Sequence, residues 1–290
     1  MPDHWPDELV EDIARRRAVL YLGAGVSAAA TTDTGQHPPT WGDFLEKGRR
    51  RLKGRVPSAT IKSLIDGRDF LTACELLKDN LDESWPELLK ESFLAPRYRP
   101  SDLHRNLHAL DLSLVLTPNF DKIYDTYAGN ETNGETVVKS YDDQDIPYVM
   151  RRKYRAILKV HGTIDQHSKM IFTRSDYAAQ RASHQGFFEL VGALFLTHTF
   201  LFVGTSLSDP DLRLFLESQN YVHPNSPPHY MVCPRDEVHK HVEASVRRNM
   251  NLKLIRYDSR DGHVLLPDLV SDLVDRVSAK RRLLALAENW

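Results

Sequence analysis

Residues 18–28 read Ala-Val-Leu-Tyr-Leu-Gly-Ala-Gly-Val-Ser-Ala, and this stretch decides the expected fold. Val19 to Leu22 form a nearly continuous apolar run, which is typical of a parallel strand covered on both faces. Gly23 and Gly25 follow, and the lack of a Cβ lets the backbone turn tightly and lets a ligand approach. We expect a helix to begin at about Ser27. The stretch therefore predicts a strand, a glycine turn and a helix.

Gly23 to Ala28 also fit the G-x-G-x-x-[GA] pattern of turns that bind the diphosphate of a dinucleotide. The pattern alone has low specificity, because a glycine turn between a strand and a helix is often only a tight connection. A standard dinucleotide fold also carries an acidic residue ~20 positions later, at the end of a second strand. Asp43 has this spacing, but it follows a polar loop. We therefore expect Asp43 to stabilise the start of a helix capped by Thr40.

Apolar segments alternate with helical patterns along the rest of the chain. Such alternation indicates an α/β fold with a Rossmann-like, doubly wound, mostly parallel sheet. Residues 44–100 contain no good strand candidate and predict an inserted helical subdomain, which could act as a lid or serve packing alone. The expected strands are 112–117, 136–139, 156–162, 199–206, 229–233 and 252–257, and the expected helices are 187–197, 209–219, 237–250 and a C-terminal helix over 264–290.

Composition limits the functions that these elements can serve. The chain has 290 residues and a formal charge of −2, so direct binding to nucleic acid or to a membrane surface is not expected. No signal peptide and no apolar run near the ~20 residues of a membrane span is present, which predicts a cytoplasmic protein. Cys74 and Cys233 are too few for a disulfide framework or a four-cysteine zinc site, so no zinc is expected.

A histidine pair offers one alternative metal site. His104 and His108 are four residues apart, a spacing that can place two ligands on one helix face. Arg105 occupies the position where a zinc protease carries glutamate, so we expect both histidines to lie on the surface instead.

Four predicted strands end in small or polar residues. Because the carboxyl ends of parallel strands meet at one edge of the sheet, these four segments should converge on one crevice. Taken singly, Asn119 and Asp121 could be turn or cap residues, and His161 could be a core histidine. The segments are Gly23–Ser27, Thr117–Asp121, His161–Gly162 and Gly204–Ser206.

In these four motifs the chain resembles the sirtuins, whose pattern is Gly-Ala-Gly-x-Ser, Thr-x-Asn-x-Asp, His-Gly and Gly-Thr-Ser in this order. The resemblance spans residues ~18 to 258 and implies a single sirtuin-like NAD-binding domain over 1–290. It implies that Asn119 and His161 are catalytic, that Asp121 lies near the nicotinamide carboxamide, and that Gly23 to Ser27 cradle the phosphates. The implied NAD-binding residues are Gly23, Ala24, Gly25, Ser27, Thr117, Asp121, Gly204, Thr205 and Ser206.

The chain departs from the protein-deacylating sirtuins in three places. It lacks the two Cys-x-x-Cys pairs that hold their structural zinc, and it lacks their Pro-Asp-Phe-Arg segment after the first motif. Leu207 to Asp211 also differ from the deacylase segment that binds substrate. These features resemble the bacterial sirtuin-like branch of antiphage defence, whose members are similar to NAD glycohydrolases that deplete NAD in abortive infection.

The resemblance therefore implies an NAD nucleosidase that releases nicotinamide and ADP-ribose. Two alternatives stay open: a non-catalytic sensor subunit that binds NAD or ADP-ribose, and an NAD-dependent protein deacylase. An NAD hydrolase must be restrained in its host, and the sirtuin-like pattern uses nearly all of the sequence given. We therefore expect control by self-association into a homo-oligomer or by a separately encoded defence partner, such as a ring-forming ATPase of the HerA type.

Overall fold

The sheet is the centre of the fold. The computed structural model describes residues 5–52, 56–152, 154–207 and 210–288. Seven described strands form one sheet in the order β3-β4-β2-β1-β5-β6-β7, and every pairing is parallel. This confirms the Rossmann-like, doubly wound fold class. The strands are β1 Ala18–Leu22, β2 Leu114–Thr117, β3 Val137–Ser140, β4 Ala156–Lys159, β5 Thr199–Val203, β6 His229–Pro234 and β7 Leu252–Tyr257.

Helices connect these strands and cover both faces of the sheet. In chain order they are α1 Asp7–Ala14, α2 Ala24–Ala28, α3 Trp41–Arg49, α4 Ser58–Asp66, α5 Phe70–Leu81, α6 Ser84–Phe93, α7 Asp102–Ala109, α8 Ile123–Glu131, α9 Ile146–Arg151, α10 Arg174–Ser183, α11 Gln185–Thr197, α12 Pro210–Val222, α13 Lys240–Met250, α14 Arg260–His263 and α15 Leu265–Glu288. The predicted C-terminal helix corresponds to α15, and residues 289–290 lie outside the described residues.

The order of the strands places a switch point beside β1. From β1 the chain moves to β2 on one side and later to β5 on the other. Connections that leave a sheet in opposite directions open a crevice at the carboxyl ends of the strands, where ligands bind in doubly wound folds. The glycine turn after β1 and the segment after β5 border this switch point.

Two hydrophobic clusters fix the helices on the sheet. One face of β1, through Leu20 and Leu22, packs with α1, α7 and α15, and the other face, through Val19 and Tyr21, packs with α11 and α12. All five residues of β1 are buried, as they are in β5. The continuous apolar runs in the sequence follow from this burial on both faces.

Helices α3 to α6 pack on a third cluster, which lies beside the carboxyl edge of the sheet. Phe172 is its centre: its ring stacks on Phe120 at 4.2 Å and meets Trp41 at 5.6 Å, Phe44 at 5.8 Å and Trp85 at 5.5 Å, measured between ring centroids. Phe120 and Phe172 belong to loops that follow strands, whereas the other three belong to the helices. The division into an inserted subdomain stays a prediction, because these helices share their core with the sheet domain.

Truncation of the central ring should lower the stability strongly. Phe172 is buried, and Phe172→Ala removes its ring contacts and leaves a cavity, which typically costs ~3–5 kcal/mol. We expect the melting temperature to fall by roughly 5–15 °C in calorimetry. Leu214→Ala is the control, because the Leu214 side chain is 58% exposed. A shift for Phe172→Ala no larger than that of the control would contradict the central role of Phe172.

Local predictions at two helix starts had different outcomes. Thr40 caps α3 and forms a capping box with Asp43, whose backbone N–H donates to the Thr40 hydroxyl at 3.2 Å. The helical role expected for Asp43 is thus confirmed. The expected start at Ser27 is wrong: α2 begins at Ala24 after Gly23, and Ser27 lies inside it. Helix α10 is not among the predicted helices, and it begins after the Thr173 cap.

The expectation that His104 lies on the surface is also wrong. His104 is 0% exposed and lies in the first turn of α7, where its Nδ1 accepts the backbone N–H of Ser101 at 3.1 Å. A neutral ring that accepts at Nδ1 carries its proton on Nε2. The bond at Nδ1 makes His104 part of the cap of α7, whereas its buried Nε2 has no hydrogen-bond partner among the described residues. Burial lowers the pKa of His104 to about 4.

This buried histidine should make stability depend on pH. Below pH ~6.5 the unfolded chain binds a proton at His104 that the folded protein takes up only at about pH 4. Stability should therefore fall by roughly 2 kcal/mol from pH 7 to pH 5, and buried His229 acts with the same sign. Denaturant titrations of His104→Asn, which retains an acceptor for Ser101, should show a shallower pH slope. A slope equal to that of the unsubstituted chain would refute this assignment.

No helix among the described residues is long and apolar enough to cross a membrane.

Candidate active site

The turn after β1 is packed directly against the end of β5. The Gly25 N–H donates to the Gly204 carbonyl at 2.7 Å, and the Gly23 N–H donates to the Val203 carbonyl at 2.9 Å. A Cβ on Gly23 would lie 2.4 Å from the Gly204 oxygen and 2.6 Å from the Thr205 Cα. Gly23 has φ of −85°, so close approach and not a left-handed turn requires glycine here. Ala24 and Gly25 are exposed at this edge of the sheet.

Asn119 reaches from the end of β2 to this turn. Its Nδ2 donates to the Gly23 carbonyl and to the Ser27 hydroxyl, at 2.9 Å each. Both N–H bonds of the amide are thereby used within the protein, and no other described residue bonds to Oδ1. The carbonyl oxygen of the amide is thus the group that Asn119 can offer to a ligand.

Ser27 and Asp121 fix the orientation of that amide. The Ser27 hydroxyl is buried and donates to Asp121 Oδ2 at 2.6 Å, so it must accept from Asn119. Asp121 Oδ1 accepts the Ile123 backbone N–H at 2.9 Å, at the start of α8. The Ser27 hydroxyl thus bonds to Asp121 and Asn119, and the phosphate contact of the Gly23 to Ser27 segment stays a prediction. No sequence pattern indicates this chain of hydrogen bonds.

Thr117 connects the end of β2 to the end of β1. Its buried hydroxyl donates to the Leu22 carbonyl at the end of β1 at 2.7 Å and accepts the Asn119 backbone N–H at 3.1 Å. The structure therefore brings the first two motifs into one rigid network. Both of these hydrogen bonds of the Thr117 hydroxyl go to backbone groups, and the side chain is buried.

His161 follows β4, the strand next to β2, so it lies at the same edge as Asn119. Its Nδ1 is 3.4 Å from the Tyr177 hydroxyl, and the two rings meet edge to face at 4.9 Å. Tyr177 belongs to α10. In the same helix the Asp176 carboxylate accepts a hydrogen bond from the Lys78 ammonium of α5 at 2.9 Å, and this ion pair connects α10 to α5. Tyr177 is not among the predicted site residues, because the loop that separates it from His161 carries no motif.

The fourth motif borders the switch point from the other side. Gly204 follows β5 with φ of +68°, and Thr205 and Ser206 continue from it towards α12. Residues 208–209 lie outside the described residues, so the departure from the deacylase pattern over 207–211 has no structural account. All four motifs predicted to converge do lie at the carboxyl ends of adjacent strands β4, β2, β1 and β5.

Within the described parts of the chain, no group of three or more His, Cys, Asp or Glu side chains is placed to hold a metal ion. Cys74 and Cys233 are both buried and unpaired. Burial raises the pKa of the Cys233 thiol to about 12, so this side chain behaves as a small apolar group.

Comparison with known proteins points in the same direction. The SIR2-like domain model matches residues 113–255, which include Asn119, His161 and Gly204. NAD(+) hydrolase ThsA of Enterococcus faecium is 31% identical over 227 residues, covering 77% of this chain and 44% of that protein. Defense-associated sirtuin 2 of Bacillus subtilis is 22% identical over 213 residues, which cover 72% of this chain and 20% of that protein. NAD(+) hydrolase ThsA of Cytobacillus dafuensis is 22% identical over 213 residues, which cover 72% of this chain and 39% of that protein.

The chain spans less than half the length of these relatives. The matched domain begins just before β2, yet its residues contact the glycine turn after β1, so the site extends beyond the matched range. The parallel sheet, the four motifs at one edge and the domain match all agree. Residues 113–255 therefore form a SIR2-like, or sirtuin-like, domain.

Proposed function

We propose that this protein is an NAD nucleosidase that cleaves NAD to nicotinamide and ADP-ribose. The observation that carries the proposal is the Asn119 amide, which Gly23 and Ser27 hold with its oxygen left for a ligand at the edge that also carries His161. A SIR2-like domain and relatives named NAD(+) hydrolases support NAD as the substrate.

The reaction needs little acid catalysis. Nicotinamide leaves as a neutral molecule, because the electron pair of the broken C–N bond neutralises its positively charged ring. The pair of carboxyl groups of an ordinary glycosidase is therefore not required. The protein must instead bind NAD in a reactive pose, tolerate an oxocarbenium-like ribose and place a water molecule. The oxygen of this water bonds to the ribose C1′, and the water loses one proton.

Asn119 and His161 are suited to the two remaining tasks. In our proposal the Asn119 Oδ1 accepts a hydrogen bond from the attacking water or a ribose hydroxyl and so orients the reactants. His161 contacts the ribose hydroxyls or accepts the proton of the water, with Tyr177 holding its ring. Histidine is the usual residue for proton transfer near neutral pH.

The remaining motif residues would line the NAD site. We propose that the exposed backbone of Ala24 and Gly25 contacts the diphosphate, and that Gly204 to Ser206 border the adenosine. Asp121 would face the nicotinamide side, although its two oxygens already bond to Ser27 and Ile123. The close packing of Gly23 on Gly204 supports a shared site, because it leaves no side chain between the two segments.

We further propose that the protein acts as the NAD-depleting effector of an antiphage defence system. Support comes from the relative named Defense-associated sirtuin 2.

Restraint by self-association, or by a partner such as a HerA-type ATPase, remains part of this proposal. Analytical ultracentrifugation of the purified chain, alone and with any co-encoded protein, tests it. A fully active monomer would rule out both forms of restraint.

Product analysis tests the proposed reaction. The purified chain is incubated with NAD, alone and with any co-encoded partner, and the products are separated by chromatography. Equal amounts of nicotinamide and ADP-ribose are expected. NAD binding in calorimetry without turnover in either condition would favour the sensor function instead. Nicotinamide that appears only with an acylated peptide would identify a deacylase.

A further inference from the structure

A lysine is enclosed at the end of strand β4. Ala156, Ile157 and Leu158 of this strand are apolar, and Lys159 follows them with its side chain only 1% exposed. Lys159 pairs in register with Thr117 of β2 and is two residues before His161. A buried ammonium is costly unless it is paired and hydrogen-bonded, so its partners determine what it does.

Both described partners of this ammonium belong to the segment that follows β2. Nζ donates to the backbone carbonyl of Asp121 at 2.6 Å and to the Asp125 carboxylate at 2.8 Å. Asp125 lies in the first turn of α8, and its side chain is 7% exposed. Burial raises the pKa of the Asp125 carboxyl, and the nearby Lys159 charge opposes that shift. The Lys159 ammonium thus connects the loop after β2, through Asp121, to helix α8, through Asp125.

We propose that Lys159 is a positioning residue for NAD cleavage, which holds the Thr117–Asp121 loop with Asn119 in fixed register with the strand that carries His161. This inference rests on the proposed function. The ammonium contacts the loop at the carbonyl two residues after Asn119, and its own Cα is two residues before His161. One rigid side chain therefore connects both catalytic positions.

Stability alone does not account for a buried ion pair at this place. Well-packed apolar residues of similar size are often as stable as a buried pair or more stable. A second ion pair, Lys122–Asp165, joins the same two segments at 2.7 Å, but its side chains are 43% and 51% exposed. Exposed pairs contribute little rigidity or stability. Two backbone bonds also join these segments: the Val160 N–H donates to the Thr117 carbonyl at 2.9 Å and the Ile164 N–H to the Phe120 carbonyl at 3.0 Å. The buried bond from Lys159 to the Asp121 carbonyl adds a side-chain contact at the end of the loop that leads into α8.

The double variant Lys159→Met/Asp125→Leu separates positioning from charge balance. It removes the bond to Asp121 without leaving an unpaired buried charge. We expect a melting temperature near that of the unsubstituted chain, a kcat for nicotinamide release at least ~10-fold lower, and a KM for NAD changed less than ~3-fold. Lys139→Met/Asp145→Leu is the control, because it makes the same changes at an ion pair of the neighbouring strand β3, whose side chains are 19% and 54% exposed and in which Lys139 bonds to Asp145. A kcat of the double variant within ~2-fold of that control would overturn the proposal.

Asp125→Asn provides a second test should the double variant fail to fold. It retains the Lys159 bond to the Asp121 carbonyl, so kcat should stay within ~3-fold even where stability falls, whereas Lys159→Met should lose at least ~10-fold. Equal losses in both single variants would show that the pair acts through stability and would overturn the proposal.

Amide hydrogen exchange tests the same inference without relying on turnover. The backbone N–H groups of Asn119 and Ile123 are hydrogen-bonded within the loop and should exchange slowly. In Lys159→Met/Asp125→Leu they should exchange at least ~10-fold faster, and unchanged exchange would contradict the positioning role. If the unsubstituted chain releases no nicotinamide, the proposed function fails while this measurement still decides the role of Lys159.

Discussion

Nicotinamide release is expected to fall ~10²–10³-fold in Asn119→Ala. The substitution removes the amide oxygen that we assign to the water or the ribose, while Gly23, Ser27 and Asp121 stay in place. The buried network loses two bonds from Nδ2, so a small decrease in melting temperature should accompany the effect. Initial rates of nicotinamide formation at saturating NAD measure the loss.

Two variants make this prediction specific. Asn119→Asp has the same shape but no donor for the Gly23 carbonyl and the Ser27 hydroxyl, so it should be as impaired as Asn119→Ala. Asn106→Ala is the control, because the Asn106 amide also donates to a backbone carbonyl, that of Pro267 at 2.9 Å, on the α7–α15 side of the fold. Turnover of Asn119→Ala within threefold of the Asn106→Ala rate would remove the assignment.

His161→Ala is expected to lower nicotinamide release ~10²–10⁴-fold, the usual cost of losing a positioned base. The ring lies at the end of β4 and contacts Tyr177 but is not part of the sheet core, so the fold should persist. Calorimetry with NAD separates the two possible roles of the histidine. Retained affinity with lost turnover indicates proton transfer, whereas lost affinity indicates contact with the ribose hydroxyls.

A second histidine provides the matched control for this substitution. His108 also meets a tyrosine ring edge to face, that of Tyr127 at 5.5 Å, and it lies on α7. His108→Ala removes the same kind of contact and should retain turnover. Tyr177→Phe should reduce turnover by a smaller factor than His161→Ala, because the ring contact remains and only the hydroxyl is lost. Equal rates for His161→Ala and His108→Ala would exclude His161 from catalysis.

Much of the fold could be predicted from local sequence. The runs at 19–22 and 200–203 are apolar because strands of a parallel sheet are buried on both faces, and this burial leaves a continuous pattern. The capping box of Thr40 and Asp43 is local for a similar reason, since both partners lie within one helical turn. The four motifs predicted one shared edge, because parallel strands end on the same side.

The roles of single polar residues depended on tertiary contacts. Ser27 looks like the start of a helix, but its hydroxyl orients Asn119, a residue 92 positions away. His104 resembles a surface residue on an amphipathic helix, yet it is fully buried. Lys159 lies inside the strand predicted over 156–162, and no sequence pattern indicates that its ammonium is enclosed by the loop after β2.

The sequence by itself determined the class of the fold, the resemblance to the sirtuins and the edge of the sheet where the motifs meet. Only the tertiary structure decided how Asn119 is oriented, what holds His161 and why Lys159 is buried. The physical reason is that hydrophobic periodicity records the burial of each element along the chain, whereas a hydrogen bond between distant segments leaves no periodic pattern. Its partners become identifiable only when packing brings their atoms within about 3 Å of each other.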